Sequence, residues 1–123
     1  MAYEWDNKKP TAQMLGRWQP FHDGHYTLFK EIIKKTGQVC IQIRDVQGVD
    51  DNPFDFDTVK SNILEALKDY KNRIKITLVP NITNICYGRG VGYKIEEIVL
   101  DEKTQQISAT KIREQMRKDG KLK

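Results

Sequence analysis

The stretch that most constrains the fold of this chain is Gly-Arg-Trp-Gln-Pro-Phe-His-Asp-Gly-His, residues 16–25. A short apolar run precedes it at residues 12–15, and apolar residues at helical spacing follow it between residues 26 and 33. This order predicts a strand, a turn with glycine and proline, and then a helix. A helix that begins directly after a strand points backbone N–H groups and the positive end of its dipole at an anion. The sequence therefore predicts an anion-binding turn here.

The remaining chain continues the alternation of strands and helices. We expect helices over residues 23–35, 57–70 and 108–118, and strands over 11–16, 38–44, 73–80 and 93–100, the last with a helical turn as its alternative. Asp23 or Gly24 should lie near the cap of the first helix, Gly37 should end it, and Ser108 should cap the last helix. The pattern predicts an α/β fold, a single Rossmann-like domain. Its mostly parallel sheet should have four to five strands with helices on both faces. Residues 1–10 are predicted to form an arm before a domain over 11–123.

Composition narrows the class of protein. The chain has 123 residues, 31% of them charged, and a formal net charge of +4, which fits one soluble domain with anionic partners such as nucleotides, phosphorylated metabolites or RNA. Cys40 and Cys86 stand alone, so neither a disulfide framework nor a zinc site is expected. The first residues lack an apolar leader, and no apolar run approaches membrane length. We therefore expect a reduced, cytoplasmic protein that does not enter a membrane.

The two histidines of the chain, His22 and His25, both fall in the predicted turn. Nucleotidyl transfer needs hydrogen-bonding or cationic groups around an α-phosphate and no enzyme nucleophile. Gly24, between them, would let the backbone approach a phosphate because it has no side chain. The alternative is a surface turn that contains two incidental histidines.

Residues 16–25 resemble the signature of the His-x-Gly-His nucleotidyltransferase superfamily, which includes glycerol-3-phosphate cytidylyltransferases, nicotinamide-mononucleotide adenylyltransferases and pantetheine-phosphate adenylyltransferases. Ile107-Ser-Ala-Thr-Lys-Ile-Arg113 resembles the second motif of that superfamily. Asn52-Pro53-Phe54 also stands where the nicotinamide-mononucleotide enzymes often carry Asn-Pro-Phe. The resemblance covers residues 13–116.

The resemblance implies a role for each matched residue. His22 and His25 would contact the α-phosphate of a nucleoside triphosphate, and the nucleotide pocket would be lined by Gly16, Trp18 and Gly24. The β- and γ-phosphates would be held by Ser108, Thr110 and Arg113. Ser108 is also a candidate independently of the resemblance, since a serine cap begins a helix whose first N–H groups can bind an anion. An ordinary capped surface helix is the alternative.

Two arginines, Arg17 and Arg44, follow predicted strands and are candidates for holding a phosphate of the acceptor. A guanidinium fork matches a phosphate dianion better than a lysine does, although either residue could be a solvated loop arginine. The Gly88–Gly92 loop could be a flexible turn or an edge of the base pocket. Asp45, Asp50 and Asp51 do not form a recognisable ligand set, so Mg²⁺ is expected to be held mainly through substrate phosphates. No protein metal ligand is predicted.

These observations lead to a nucleotidyltransferase that releases pyrophosphate. We expect transfer of CMP from CTP to a phosphorylated small molecule, because the short single-domain layout is closer to the cytidylyltransferases. The alternative is adenylyl transfer from ATP, such as onto nicotinamide mononucleotide, which the Gly-Arg-Trp-Gln-Pro and Asn-Pro-Phe elements favour. A non-catalytic nucleotide-binding module is a further alternative. An RNA-binding domain is not favoured, because this sequence has neither the aromatic strand pattern nor the Gly-x-x-Gly clamp of the common RNA-binding modules. The resemblance also implies a homo-oligomer.

Overall fold

The centre of the fold is a parallel sheet, seen in a computed structural model that describes residues 3–47, 52–89 and 92–121. Its strands are β1 (Ala12–Gly16), β2 (Val39–Arg44) and β3 (Ile74–Val79), in the order β1-β2-β3. Met14 is paired with Ile41, and Ile41 with Ile76, so the three strands start nearly level. All three carboxyl ends therefore lie at one edge of the sheet.

The helices are α1 (Asp23–Thr36), α2 (Phe56–Ala66), α3 (Glu102–Gln105) and α4 (Ala109–Lys118), with a 3₁₀ helix at Lys68–Arg73. The predicted helix over 57–70 thus ends at Ala66 and continues as the 3₁₀ helix, and α3 was not predicted. Gly37 ends α1 in the left-handed region at φ 81°, as expected. Ser108 caps α4, which confirms that prediction. The cap of α1 is His22, and Asp23 and Gly24 directly follow it, near the cap as predicted.

The core lies between α1, α2 and one face of the sheet. The face formed by Met14, Ile41 and their register neighbours packs against Phe29 of α1 and Ile63 of α2. The opposite face carries polar residues, and Gln13 Nε2 donates to Gln42 Oε1 across it at 2.6 Å. Such a face offers little apolar surface to a helix. Helices on both faces are therefore not confirmed in the described part of the chain.

The strand predicted over 93–100 is wrong: this segment has no regular secondary structure. The sheet of the described residues has three strands, not the expected four to five. Glu96 pairs with Lys35 at the end of α1, Nζ to Oε1 3.4 Å, while Ile95 and Val99 are 62% and 76% exposed. A parallel strand is usually apolar on both faces. The adjacent Glu96 and Glu97 interrupt the apolar run and favour solvent contact instead.

The N-terminal segment contacts the amino ends of the strands. Tyr3 donates its hydroxyl proton to Gln38 Oε1 at 2.9 Å, and Gln38 Nε2 donates to the Asp6 carbonyl at 2.8 Å. The ring of Tyr3 also lies under two cations, Lys9 and Arg73, each 4.6 Å from its centroid. The division into an arm over 1–10 and a domain over 11–123 stays a prediction. Among the described residues, no helix has the length and apolar character that a membrane crossing requires.

Candidate functional site

The loops that follow the three strands meet at the carboxyl edge of the sheet. β1 ends at Gly16, β2 at Arg44 and β3 at Val79, and the strands are parallel. In open α/β sheets, ligands bind outside this edge. The signature turn, residues 17–22, leads directly from β1 into the N-terminus of α1. The sequence-predicted site residues of the first half of the chain therefore fall at one edge.

His22 and His25 form a reciprocal cap at the start of α1. His22 Nδ1 accepts from the backbone N–H groups of Gly24 at 3.0 Å and of His25 at 3.4 Å. His25 Nδ1 accepts from the backbone N–H of His22 at 3.2 Å. Since a neutral imidazole that accepts at Nδ1 carries its proton at Nε2, the hydrogen bonds assign the Nε2–H tautomer to both rings. The rings stack with centroids 3.6 Å apart at an interplanar angle of 17°.

Burial keeps this histidine pair neutral. Burial, and to a lesser extent the charge that a protonated His22 would carry, together lower the pKa of His25 from 6.5 to about 3. Burial also lowers the pKa of His22, while the carboxylate of Asp23 opposes that shift. At neutral pH the turn therefore presents two hydrogen-bond donors and no imidazolium charge.

Two glycines make room for the rings around the turn. A Cβ on Gly24 would lie 2.8 Å from His22 Cε1, so a side chain there would displace the capping ring. A Cβ on Gly16 would lie 2.7 Å from Trp18 Cε2. Trp18 folds back over Gly16 with φ 55°, in the left-handed region that non-glycine residues seldom occupy. Both glycines are thus required by neighbouring side chains.

Trp18 lies in the core and supports His25. Its side chain is 6% exposed, and its Nε1–H donates to the carbonyl of Gln42 in β2 at 3.1 Å. Its ring meets that of His25 edge to face, with centroids 4.7 Å apart. Trp18 was predicted to line the nucleotide pocket. In the structure its buried ring packs against that of His25, and a contact with the nucleotide stays a prediction.

The second motif docks onto the first through Arg113. The guanidinium group is 3% exposed, and it donates to the Gln19 carbonyl and to Thr110 Oγ1, the latter at 3.3 Å. Ser108 caps α4 by accepting from the backbone N–H of Lys111 at 3.4 Å. Ile107 borders Gly24, since its Cβ would lie 3.6 Å from a Cβ built there. The two motifs, about ninety residues apart in the sequence, are therefore neighbours.

Arg17 and Arg44 are both held by asparagine. Arg17 Nη1 donates to Asn52 Oδ1 at 3.4 Å. Arg44 donates to Asn81 Oδ1 from Nε at 3.2 Å and from Nη2 at 2.7 Å. A carboxamide oxygen orients a guanidinium group without neutralising it. Over residues 3–47, 52–89 and 92–121, neither arginine forms an ion pair with a carboxylate.

Sequence reasoning missed three polar residues that organise this edge: Gln19, Asn52 and Asn81. Gln19 is 2% exposed, and its carboxamide forms two hydrogen bonds with the backbone of Phe54, both 2.9 Å. Gln19 and Asn52 lie within motifs that the sequence analysis quoted, but their partners are distant in sequence. Asn81 follows Pro80 at the end of β3, and this position at a strand end was the available signal.

The described residues contain no metal site of their own. They include no group of three or more His, Cys, Asp or Glu side chains that could hold a metal ion. Asp50 and Asp51 lie outside the described residues, as do Gly90 and Val91 of the Gly88–Gly92 loop. Gly88 and Arg89 are exposed. The role of that loop stays open between a turn and an edge of the base pocket.

This chain is similar to three curated proteins, each named nicotinamide-nucleotide adenylyltransferase. It is 39% identical to that of Methanococcus aeolicus over 61 residues, which are 48% of this chain and 36% of the relative. It is 40% identical to that of Methanolobus tindarius over 60 residues, 47% of this chain and 35% of the relative. A shorter match to that of Methanococcus maripaludis, 44% identical over 36 residues, covers 29% of this chain and 21% of the relative.

The matched stretch thus spans about a third of the length of the first two relatives, 36% and 35%. No family model matches the chain. All three relatives carry the name of a nucleotidyltransferase. The resemblance to the nucleotidyltransferase superfamily that the two motifs indicate is confirmed by these relatives.

Proposed function

We propose that this chain is an adenylyltransferase, which transfers AMP from ATP to a phosphorylated small molecule such as nicotinamide mononucleotide and releases pyrophosphate. The observation that carries the proposal is the neutral, stacked pair of His22 and His25 at the N-terminus of α1. The names of the relatives favour ATP over CTP. We therefore replace the sequence-based preference for CMP transfer by its alternative.

The reaction needs positioning and charge stabilisation, not a protein nucleophile. A phosphate oxygen of the acceptor attacks the α-phosphorus of ATP and forms a new P–O bond. The bond from the α-phosphorus to the bridging oxygen breaks, and pyrophosphate leaves with that electron pair. The attacking phosphate is already anionic, so no proton must be removed. Negative charge builds up on the α-phosphate oxygens, where preorganised donors stabilise the transition state.

The histidine pair suits this task because its donors are fixed before the substrate binds. Both Nδ1 atoms are engaged by backbone N–H groups, which leaves each Nε2–H as the donor of its ring. Because the pKa of His25 is lowered to about 3, its ring stays in the neutral form throughout the working pH range and keeps one fixed donor, Nε2–H. The dipole of α1, at whose N-terminus both rings lie, favours the same negative charge.

The remaining candidates divide between the two substrates. Ser108 and Thr110, at the first turn of α4, would bind the β- and γ-phosphates, with Arg113 holding that turn against Gln19. Gly16 and Gly24 keep the backbone close to the bound nucleotide. Arg17 and Arg44 would bind the phosphate of the acceptor, because their neutral asparagine partners leave both charges available.

We propose that Mg²⁺ enters this site with the nucleotide, bound mainly by its phosphates. The described residues offer no cluster of ligating side chains, and Mg²⁺ in such sites keeps several waters and binds substrate phosphates. When bound, it would neutralise part of the triphosphate charge. Assembly into a homo-oligomer and a cytoplasmic setting stay predictions.

Pyrophosphate release tests the proposal. The protein is incubated with each of the four nucleoside triphosphates and a panel of phosphorylated acceptors that includes nicotinamide mononucleotide and glycerol 3-phosphate. We expect release with ATP and nicotinamide mononucleotide, and loss of release in His25→Ala. Release confined to CTP would restore the cytidylyl alternative. Triphosphate binding without release for any acceptor would favour the non-catalytic module, which shares the phosphate-binding turns.

A further inference from the structure

We infer that Gln19 is a positioning residue that ties the Asn52-Pro53-Phe54 segment and α4 to the histidine turn. The inference rests on the proposed function for its kinetic consequence, but its structural part stands alone. Gln19 lies three residues before His22 and is 2% exposed, so it cannot be a surface contact for substrate. Its carboxamide and its backbone carbonyl instead form hydrogen bonds with two other segments of the site.

The side chain of Gln19 pairs with the backbone of Phe54. Nε2 donates to the Phe54 carbonyl, and Oε1 accepts from the Phe54 N–H, both at 2.9 Å. This pair reproduces the two-bond contact that one strand residue makes with its partner in a sheet. A carboxamide is the side chain that supplies both a donor and an acceptor at one position. The segment after β2 is thereby fixed to the turn after β1.

The backbone carbonyl of Gln19 completes the junction, because it accepts from Arg113 of α4. One residue thus joins three segments that are separated by more than thirty and more than ninety positions. Two of the segments carry residues that serve the proposed substrates: Asn52 orients Arg17, and Thr110, a candidate phosphate ligand, contacts Arg113. The positions of the acceptor side and of the triphosphate side of the site therefore both depend on Gln19.

This arrangement predicts a kinetic effect that differs from simple loss of stability. If the carboxamide is removed, the 52–54 segment loses its anchor, while the Arg113 contact to the backbone carbonyl persists. The KM for the acceptor should rise and kcat should fall, because misplacement by about 1 Å can cost about a hundredfold in rate. Affinity for ATP should change by less than about twofold, since Arg113 and α4 keep their carbonyl partner.

The test compares Gln19→Leu with Gln38→Leu in the full chain. Gln38 is a matched control, because it is a second buried glutamine, 0% exposed, whose carboxamide ties segments at the amino end of the sheet. Both variants lose buried hydrogen bonds of the same kind. Steady-state pyrophosphate release and ATP binding are measured at a temperature where both remain folded, together with hydrogen exchange of the Phe54 amide.

We expect Gln19→Leu to speed exchange of the Phe54 amide by about tenfold or more, the effect of losing one hydrogen bond of about 1.4 kcal/mol, and to raise the acceptor KM. Gln38→Leu should do neither. Unchanged Phe54 exchange in Gln19→Leu, or kinetic constants that match those of Gln38→Leu, would overturn the inference. If Gln19→Leu does not fold, Gln19→Glu replaces it. Its ionised carboxylate still accepts from the Phe54 N–H but faces the Phe54 carbonyl oxygen without a proton to donate, so the segment should shift: the acceptor KM should rise while exchange of the amide stays slow.

Failure of the two proposals can be told apart. If the wild-type protein binds ATP but releases no pyrophosphate with any acceptor, adenylyl transfer is wrong. Exchange of the Phe54 amide still decides whether Gln19 ties the segment to the turn, because this measurement does not depend on activity.

Discussion

At each end of the sheet a buried glutamine joins separate segments of the chain, but the two ends differ in the groups that contact their cations. At the carboxyl end, buried Gln19 joins the signature turn to residue 54. At the amino end, buried Gln38 joins β2 to Asp6 and Thr11. In both places the donor and acceptor of a buried carboxamide find their partners in another segment of the chain. A buried glutamine therefore does not distinguish a functional edge from a structural one.

The partners of the cations distinguish the two ends of the sheet. At the amino end, Arg73 and Lys9 lie over the ring of Tyr3, each at 4.6 Å, so their charge is engaged by an aromatic face. At the carboxyl end, Arg17 and Arg44 are oriented by asparagine oxygens. The first arrangement stabilises a contact within the chain, and the second leaves charge available for an anion. The partners of the cations therefore favour the carboxyl end of the sheet as the phosphate-binding end that we propose.

The largest expected effect is that of His25→Ala. Loss of one preorganised donor to the transition state typically costs about 3 kcal/mol, so kcat should fall by about a hundredfold or more. Steady-state pyrophosphate release measures it. The control is Lys9→Ala at the amino end, which should turn over at the wild-type rate. A rate for His25→Ala within a few fold of wild type would remove the histidine pair from the mechanism.

A smaller effect is expected for Arg44→Gln. A hydrogen bond to a charged group contributes about 1.5–3 kcal/mol, so the KM for the acceptor should rise by about tenfold to a hundredfold. Arg73→Gln is the matched change at the amino end, and it should lower stability without altering that KM. The acceptor dependence of turnover checks both variants. An equal rise in KM for the two arginines would break the comparison between the ends of the sheet.

Gly16→Ala should reduce stability without removing a donor. A Cβ at Gly16 would lie 2.7 Å from the ring of Trp18, and overpacking of this kind costs about 1–3 kcal/mol. Gly88→Ala is the control, because no atom lies within 4 Å of the added Cβ. Urea unfolding measures both. A Gly16→Ala protein as stable as Gly88→Ala would mean that Trp18 does not need to fold back over β1.

A further effect, measured in stability and not in turnover, is the pH dependence that belongs to His25. Its pKa is lowered from 6.5 to about 3 in the folded protein, so the unfolded chain binds the proton first. The stabilisation is complete above pH 6.5 and is lost as the pH falls toward 3. The free energy of unfolding of wild type should therefore decline more steeply below pH 6.5 than that of His25→Ala. Parallel profiles would show that the ring is not buried in neutral form.

The sequence predicted most of the fold where periodicity and turn residues agree. The strands ending at Gly16, Arg44 and Val79 and the helices that begin after His22 and Ser108 were all expected to within a few residues. It failed over 93–100, where a strand-like composition gave no strand. Pairing depends on a partner edge and on both faces being apolar, and Glu96 instead pairs with Lys35. The composition of residues 93–100 does not show whether Glu96 will enter a strand or pair with Lys35.

In the candidate site, too, the sequence predicted one part and could not predict another. The motifs predicted that the turn after β1 and the start of α4 belong to one site, and the structure places Ile107 beside Gly24 and joins Arg113 to Gln19; the roles of the site residues stay predictions. The supporting contacts could not be predicted. Trp18 was expected in a pocket, but a left-handed φ of 55° turns its ring into the core. The Gln19–Phe54 pair joins residues 35 positions apart, and no local pattern reports such a contact.

The most direct test of the central claim is nitrogen NMR of the two imidazole rings between pH 8 and pH 5, with and without an ATP analogue whose α,β-bridge cannot be cleaved. Both rings should be neutral Nε2–H tautomers, His25 should not titrate near 6.5, and both Nε2–H signals should shift when the analogue binds. An Nδ1–H tautomer, a His25 pKa near 6.5, or signals that ignore the analogue would contradict the central claim.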